Sequence, residues 1–160
     1  SLEIHKATVV QVDPTDGQLK ATHQWVQKDA IIPNNLATAT ADYPWLRAKI
    51  LSGEVVVLED HKDAPAAAFK DLEQAQKHGG KASVSIPLRI GGAIAGAVVF
   101  TSATMRSWPS STIQQLERIT GIFGFALAAT IAGPYPKAAG GKPECSSGCT
   151  DGGTNDFAGP

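Results

Sequence analysis

The spacing of apolar and polar positions changes several times along this chain, and each change marks an element. KATVVQV, from Lys6 to Val12, is rich in β-branched residues, and Asp13-Pro14-Thr15-Asp16-Gly17 after it carries turn chemistry. Leu19, Ala21, His23 and Trp25 then alternate with Lys20, Thr22 and Gln24. The pattern predicts a β-hairpin with Leu19, His23 and Trp25 on one face. Pro33-Asn34-Asn35 breaks the chain, and Leu46, Ile50 and Leu51 recur at helical spacing behind Tyr43-Pro44-Trp45 until Gly53. A short helix is expected there. Val55 to Leu58 is an unbroken apolar run that reads as a strand buried on both faces, followed by a polar exit from Glu59 to Asp63.

Residues 64–78 read as a helix: Pro65 suits a first turn, Ala66 to Ala68 are strong helix formers, and Phe69, Leu72 and Ala75 or Gln76 follow at spacings of three to four. Gly79-Gly80 ends it. KASVSIPLRI and AIAGAVVFTS, joined by Gly91-Gly92, predict a tight hairpin of two central strands. In the first, Val84, Ile86 and Leu88 share one face while Ser83, Ser85 and Arg89 share the other, which is either a solvated face or a polar wall of a pocket. Pro87 removes a ladder donor and points to an edge or an interruption nearby. In the second strand, Ala93, Ala95, Ala97 and Val99 fall on one face. After Trp108-Pro109, a long helix is expected, with Ser111 and Gln114 as a capping box. Its apolar face runs through Ile113, Leu116, Ile119, Ile122 or Phe123, and Ala126 or Leu127. Gly121, Gly124 and Ala128 form a small-residue stripe that could pack on the sheet or against a second copy. Residues 134–160, full of Gly, Pro, Ser and Thr, read as a flexible tail. The order of elements, with hairpin turns that require antiparallel neighbours, predicts an α+β fold with one mainly antiparallel sheet.

Composition narrows the function. The 160 residues suit one domain, residues 1–133, and 14 Lys and Arg against 15 Asp and Glu leave no basic excess to attract nucleic acid. The apolar stretch from Ile119 to Ala132 is shorter than a membrane span, no signal-peptide pattern opens the chain, and a cytoplasmic setting follows. Cys145 and Cys149 lie in the tail without a second pair, so a reversible disulfide or two plain thiols is a better reading than zinc. His5, His23, His61 and His78 show no metal-ligand spacing. The core carries no cysteine and no G-x-S-x-G turn, which argues against an enzyme, and neither Gly-Gly pair has the spacing of a phosphate loop.

An ordered set of segments gives a more specific reading. ATHQWV, YPWLRAKILSGEVVVLED, DAPAAA, HGGKASVSIPLRIGGAIAGAVVFTS and the helix from Trp108 to Leu127 together resemble a GAF domain of bacterial signal-transduction proteins, such as sensor kinases and transcriptional activators. The resemblance covers most of residues 6–132. It implies a GAF-like (profilin-like) antiparallel sheet flanked by helices, a small-molecule cavity on one face, and terminal helices used for dimerisation on the other. Only SLEIH precedes the first strand, where relatives carry a helix, so a sheet face is expected to be undercovered. The cysteines of methionine-sulfoxide-reducing and bilin-attaching relatives have no counterpart, nor does the residue set of cyclic-nucleotide binders, and no cofactor is named. The expected function is sensing: an unidentified small molecule between the sheet and residues 43–78 acts on the last helix. The alternative is a ligand-free assembly module. Trp45, for which core packing is the favoured reading and the cavity rim the one the resemblance implies, His61, Phe69, Ser83 and Ser85 are the cavity candidates, with His23 as a further one. The expected partners are that ligand and a second copy of the chain, through the last helix.

Overall fold

The computed structural model describes residues 3–30 and 43–132. Strand β1 (Lys6–Val12) turns into β2 (Leu19–Val26) through a loop in which Asp13 Oδ1 accepts the Thr15 N–H at 2.8 Å and Asp16 accepts the Gln18 N–H at 2.9 Å. Helix α1 (Pro44–Leu51), strand β3 (Val56–Leu58) and helix α2 (Phe69–Lys77) follow. Strands β4 (Ala82–Ile90) and β5 (Ala93–Ser102) and helix α3 (Ser110–Ala132) complete the described chain. Gly91 and Gly92 both have positive φ, 58° and 83°, as a two-residue hairpin turn matched to strand twist requires.

The five strands form one sheet in the order β2-β1-β5-β4-β3, and every pairing is antiparallel. The α+β architecture is therefore as the sequence implied. Its centre closes through β1 against β5, two strands distant in sequence, at a close approach that only glycine permits. A Cβ at Gly96 would lie 1.9 Å from the Val10 carbonyl oxygen.

Two β-bulges decide which side chains face which way. One leaves Thr22 unpaired, because Val9 pairs with His23 and Val10 with Ala21. The extra residue inverts the alternation of β2. Leu19 and Ala21 pack with Val10 and Ile50, whereas His23 and Trp25 fall on the opposite face, beside Val9 and Ala7. The expectation of one face carrying Leu19, His23 and Trp25 is corrected accordingly. The second bulge, at Ala95, sets Leu88 opposite Gly96 and Arg89 opposite Ile94, so that Ile94 joins Ala97 and the expected face of Ala93, Ala95, Ala97 and Val99 is broken.

One core lies between the sheet and α3, where Val84, Ile86, Leu88, Val98 and Phe100 meet Trp108 and Leu116. A smaller one lies on the other face, where Ile50 of α1 enters the group of Val10, Leu19 and Ala97. The inward stripe of α3 is Ile113, Leu116, Thr120, Gly124 and Leu127, a three-four-four-three spacing. Ile119, Ile122 and Phe123, expected inward, are 38%, 70% and 43% exposed. Gly124 packs on the sheet, since a Cβ there would meet the Arg89 carbonyl at 2.9 Å, while Gly121 faces open space. The helix starts at Ser110 with the Pro109 carbonyl accepting from the Ile113 N–H, so Ser111 is already helical and is not the expected cap.

Three further corrections concern residues 55–78. Strand β3 is a three-residue edge with Val57 38% exposed and only Val56 buried, because it has one neighbour. A 3-10 turn, Ala66–Ala68, occupies the start of the expected helix, another, His61–Asp63, lies just before it, and α2 proper begins at Phe69. Phe69 itself points outward, 65% exposed, because the inward stripe is Ala68, Asp71, Leu72 and Ala75. Pro87 lies past Ser85, where pairing with β3 ends, as a strand position without an N–H donor allows. No described helix is long and apolar enough to cross a membrane. Pro33-Asn34-Asn35 and the expected tail with Cys145 and Cys149 lie outside the described residues.

Replacing Gly96 with Ala forces the two central strands apart, and urea unfolding is expected to show a stability loss above about 2 kcal/mol. A loss under about 0.5 kcal/mol would contradict the close approach.

Candidate functional site: a cavity between the sheet and two helices

Opposite α3, the sheet, α1 and α2 enclose a cavity of about 130 Å³. Its floor is laid by period-two alternation: Lys6, Thr8 and Val10 of β1, Val99 and Thr101 of β5, and Ser83 of β4. The register aligns Lys6, Thr101 and Ser83 in one row straight across three strands. This row is polar. Two rows further along, Val10 and Ala97 belong to an apolar cluster beneath Ile50, so the floor grades from polar to apolar. Trp45, Leu46 and Arg47 of α1 and Ala68, Asp71, Leu72 and Ala75 provide the walls.

Asp71 holds these walls together. Helix α1 has Tyr43 at its N-cap, with no side-chain cap of its own, and its first-turn N–H groups need acceptors. The Asp71 carboxylate supplies them from the neighbouring helix, accepting the Trp45 N–H at 3.2 Å and the Leu46 N–H at 2.8 Å. Burial pushes its pKa above the usual carboxylate value, and these backbone hydrogen bonds offset part of that rise.

His61 closes the polar end. Its N–H is anchored on the Lys81 carbonyl at 2.7 Å, and Asp60 caps the turn through the Lys62 N–H. The imidazole Nε2 is 3.0 Å from Ser83 Oγ, and both residues are buried. Gly80 makes room, since a Cβ there would lie 2.8 Å from Thr101 Cγ2 and 3.2 Å from His61 Cε1. Among the described residues Nδ1 has no partner of normal hydrogen-bond geometry. Burial holds the imidazole pKa below its usual value, opposed in part by the Gly80 backbone and the Asp60 charge, so the ring is neutral near pH 7.

Of the residues singled out from sequence, Trp45, His61 and Ser83 meet at this cavity. Three do not. Phe69 is turned to solvent by the register of α2; Ser85 is 1% exposed, enclosed in the sheet between Val56 and Val99; His23 is carried to the opposite face by the Thr22 bulge. Lys6, Thr8, Thr101, Arg47 and Asp71 are additional lining residues that the sequence reading missed. The alternation of Lys6 and Thr8 with Ala7 was a usable signal, as was the absence of any Ser, Thr, Asp or Asn directly before Pro44. Among the described residues no three His, Cys, Asp or Glu side chains gather as metal ligands.

The five-stranded antiparallel sheet thus carries a long helix on one face and a helix-walled cavity on the other. The pattern of the GAF domain family matches residues 4–127, and the chain belongs to that family. Solved structures with the same fold include a domain of a two-component sensor histidine kinase from Sinorhizobium meliloti, with TM-score 0.66, 18% identity, and coverage of 82% of this chain and 83% of that one. The third GAF domain of Slr1393 from Synechocystis superposes with TM-score 0.67 at 18% identity, over 81% and 85% of the two chains. A phycocyanobilin-bound GAF domain from a cyanobacterial phytochrome gives TM-score 0.63 at 16% identity, over 79% and 76%. No curated protein sequence matches the chain.

Removing both acceptors from the α1 terminus by Asp71→Ala is expected to cost about 1–2 kcal/mol in urea unfolding, with Asp71→Asn costing less; equal stability would contradict the capping role. His61 gives a pH dependence whose sign is fixed: its folded pKa lies below the unfolded value of 6.5, so the unfolded chain binds more protons in between. Stability is therefore expected to fall as pH drops from 7.5 through 6.5 toward about 5.5, and His61→Gln should flatten that slope in thermal melts.

Proposed function

We propose that this chain is a regulatory, non-catalytic sensing domain: a small molecule occupies the cavity over the sheet, and its binding is felt at the start of α3. The observation that carries this reading is the double attachment of Leu58. Its side chain lines the cavity, while its carbonyl accepts the Trp108 indole N–H at 3.3 Å. Glu59 strengthens the joint, since Glu59 Oε1 accepts the Trp108 N–H at 3.3 Å and its carbonyl accepts the Arg106 N–H at 3.1 Å. The Arg106 guanidinium also stacks 4.5 Å over the indole. Trp108 is 4% exposed and belongs to the core on which α3 rests. A ligand that displaces Leu58 or His61 therefore pulls on the packing at the beginning of α3. The Ser83–His61 pair supports recognition in preference to turnover, because among the described residues no carboxylate hydrogen-bonds Nδ1 to orient the imidazole as a base.

The exposed face of α3 favours a second, compatible reading as an assembly surface. Ile119, Ile122 and Phe123 lie along one side, and Phe125 is 84% exposed. Trp25, 55% exposed, lies on the same side of the sheet. Apolar exposure on this scale suits a second copy of the chain.

A thermal-shift screen over organic acids, amino acids, nucleotides and haem is expected to yield stabilising compounds, and Ser83→Leu should abolish their effect. Trp108→Phe, which lacks the indole N–H, should retain binding yet lose ligand-dependent hydrogen-exchange protection along α3; unchanged protection would contradict the route through Leu58. Light scattering should show a dimer that Ile122→Glu dissociates, and a monomeric parent chain would reject the assembly reading.

A further inference from the structure

The polar row of the cavity floor contains a cation without a counter-ion. Lys6 faces the cavity from the end of β1, and among the described residues no carboxylate lies within ion-pair distance of its ammonium. The described ion pairs are Lys20 with Asp13 and Asp16, and Lys49 with Glu54, all outside this cavity. Burial lowers the Lys6 pKa, as expected for an ammonium desolvated without compensation. Asp71, the acidic side chain on the cavity wall, is committed elsewhere: both its oxygens accept N–H groups of α1. Beside Lys6 in the same row stand two hydroxyls, Thr101 and Ser83, and behind Ser83 is the neutral His61. Thr8 adds a third hydroxyl from the next row, although its Oγ1 already accepts from Gln24 Nε2 at 3.2 Å. A single cation flanked by convergent hydroxyls is the donor set a carboxylate requires. The remaining surface is mostly apolar, with Val99, Leu72, Ala75, Ala68 and Ile50, and also carries Tyr43, His78 and a second cation, Arg47.

Accepting that the cavity is a ligand site, we infer that its ligand is a small organic carboxylate with an apolar body. The carboxylate pairs with Lys6 and accepts hydrogen bonds from Thr101 and Ser83, and the body lies over Val99 toward Leu72 and Ala75. Arg47 stands at the other end, where its Nη2 donates to the Gly17 carbonyl at 2.9 Å and so braces α1 against the β1–β2 turn. The anion is assigned to Lys6 because the hydroxyls are on that side.

Calorimetric titration of the whole chain at pH 7.5 with benzoate, phenylacetate and 3-methylbutanoate, alongside benzamide, benzyl alcohol and benzylamine, tests this assignment. The carboxylates should bind at least tenfold more tightly than the neutral isosteres, and benzylamine should not bind. Lys6→Met should weaken carboxylates ten- to a hundredfold, the loss expected of one charge-assisted contact, while benzyl alcohol is unaffected or improved. Lys6→Arg should retain most of the affinity. Equal binding of benzoate and benzamide would overturn the carboxylate assignment and leave the cavity reading intact. Absence of binding by every probe would overturn both. Loss of benzoate binding in Arg47→Gln with none in Lys6→Met would place the anion at the opposite end and overturn the assignment to Lys6. Melting curves of ligand-free Lys6→Met, expected to match or exceed the parent, separate lost binding from lost folding.

Discussion

Two hydrogen bonds from the first turn of α1 to the Asp71 carboxylate join elements that the sheet does not connect. Helix α1 reaches the sheet chiefly through Ile50, near its C-terminal end. Its N-terminal end needs acceptors that Tyr43 and Pro44 do not provide, and the acid that provides them sits on the inward stripe of α2. Meeting that requirement ties the two helices to one another over the sheet and bounds the space beneath them. The cavity is thus a consequence of how a helix terminus is satisfied, with Lys6, Thr101 and Ser83 below and Asp71 above.

The two faces of the sheet serve different ends, and β4 shows how one strand supplies both. Val84, Ile86 and Leu88 build the core against α3, while Ser83 takes part in the cavity floor. The mechanical link between the faces runs around the edge of the sheet, through Leu58, Glu59 and the indole of Trp108. The edge position of β3 suits such a link, because a short strand with one neighbour can shift without breaking the central ladders.

Much of the fold was legible because the determinants are local: turn residues at Asp13 to Gly17, glycines at 91 and 92, and clean alternation in Val84, Ile86 and Leu88. Errors arose where a single residue shifts the phase. Thr22 carries no sequence mark of a bulge and Ala95 only the glycine that follows it, yet each reverses the facing of its neighbours, and His23 was misplaced for that reason. On α3 the apolar residues outnumber the buried positions and on α2 an acid, Asp71, takes an inward position, so periodicity could not tell Phe69 from Leu72, or Ile122 from Leu127. The site was legible where a polar residue interrupts an otherwise apolar strand, as Ser83 does. It was obscure where partners come from distant segments, as with Asp71 and the α1 terminus, 25 residues apart.

Methyl and indole NMR during a benzoate titration examines both the chamber and its connection to α3 in one experiment. Resonances of Leu72, Ala75 and Val99 should move together with the Trp108 indole proton, while Val98, on the opposite face of β5, stays in place. Movement confined to the outer face of α3, or cavity methyls that shift with a stationary indole, would contradict a ligand chamber linked to that helix.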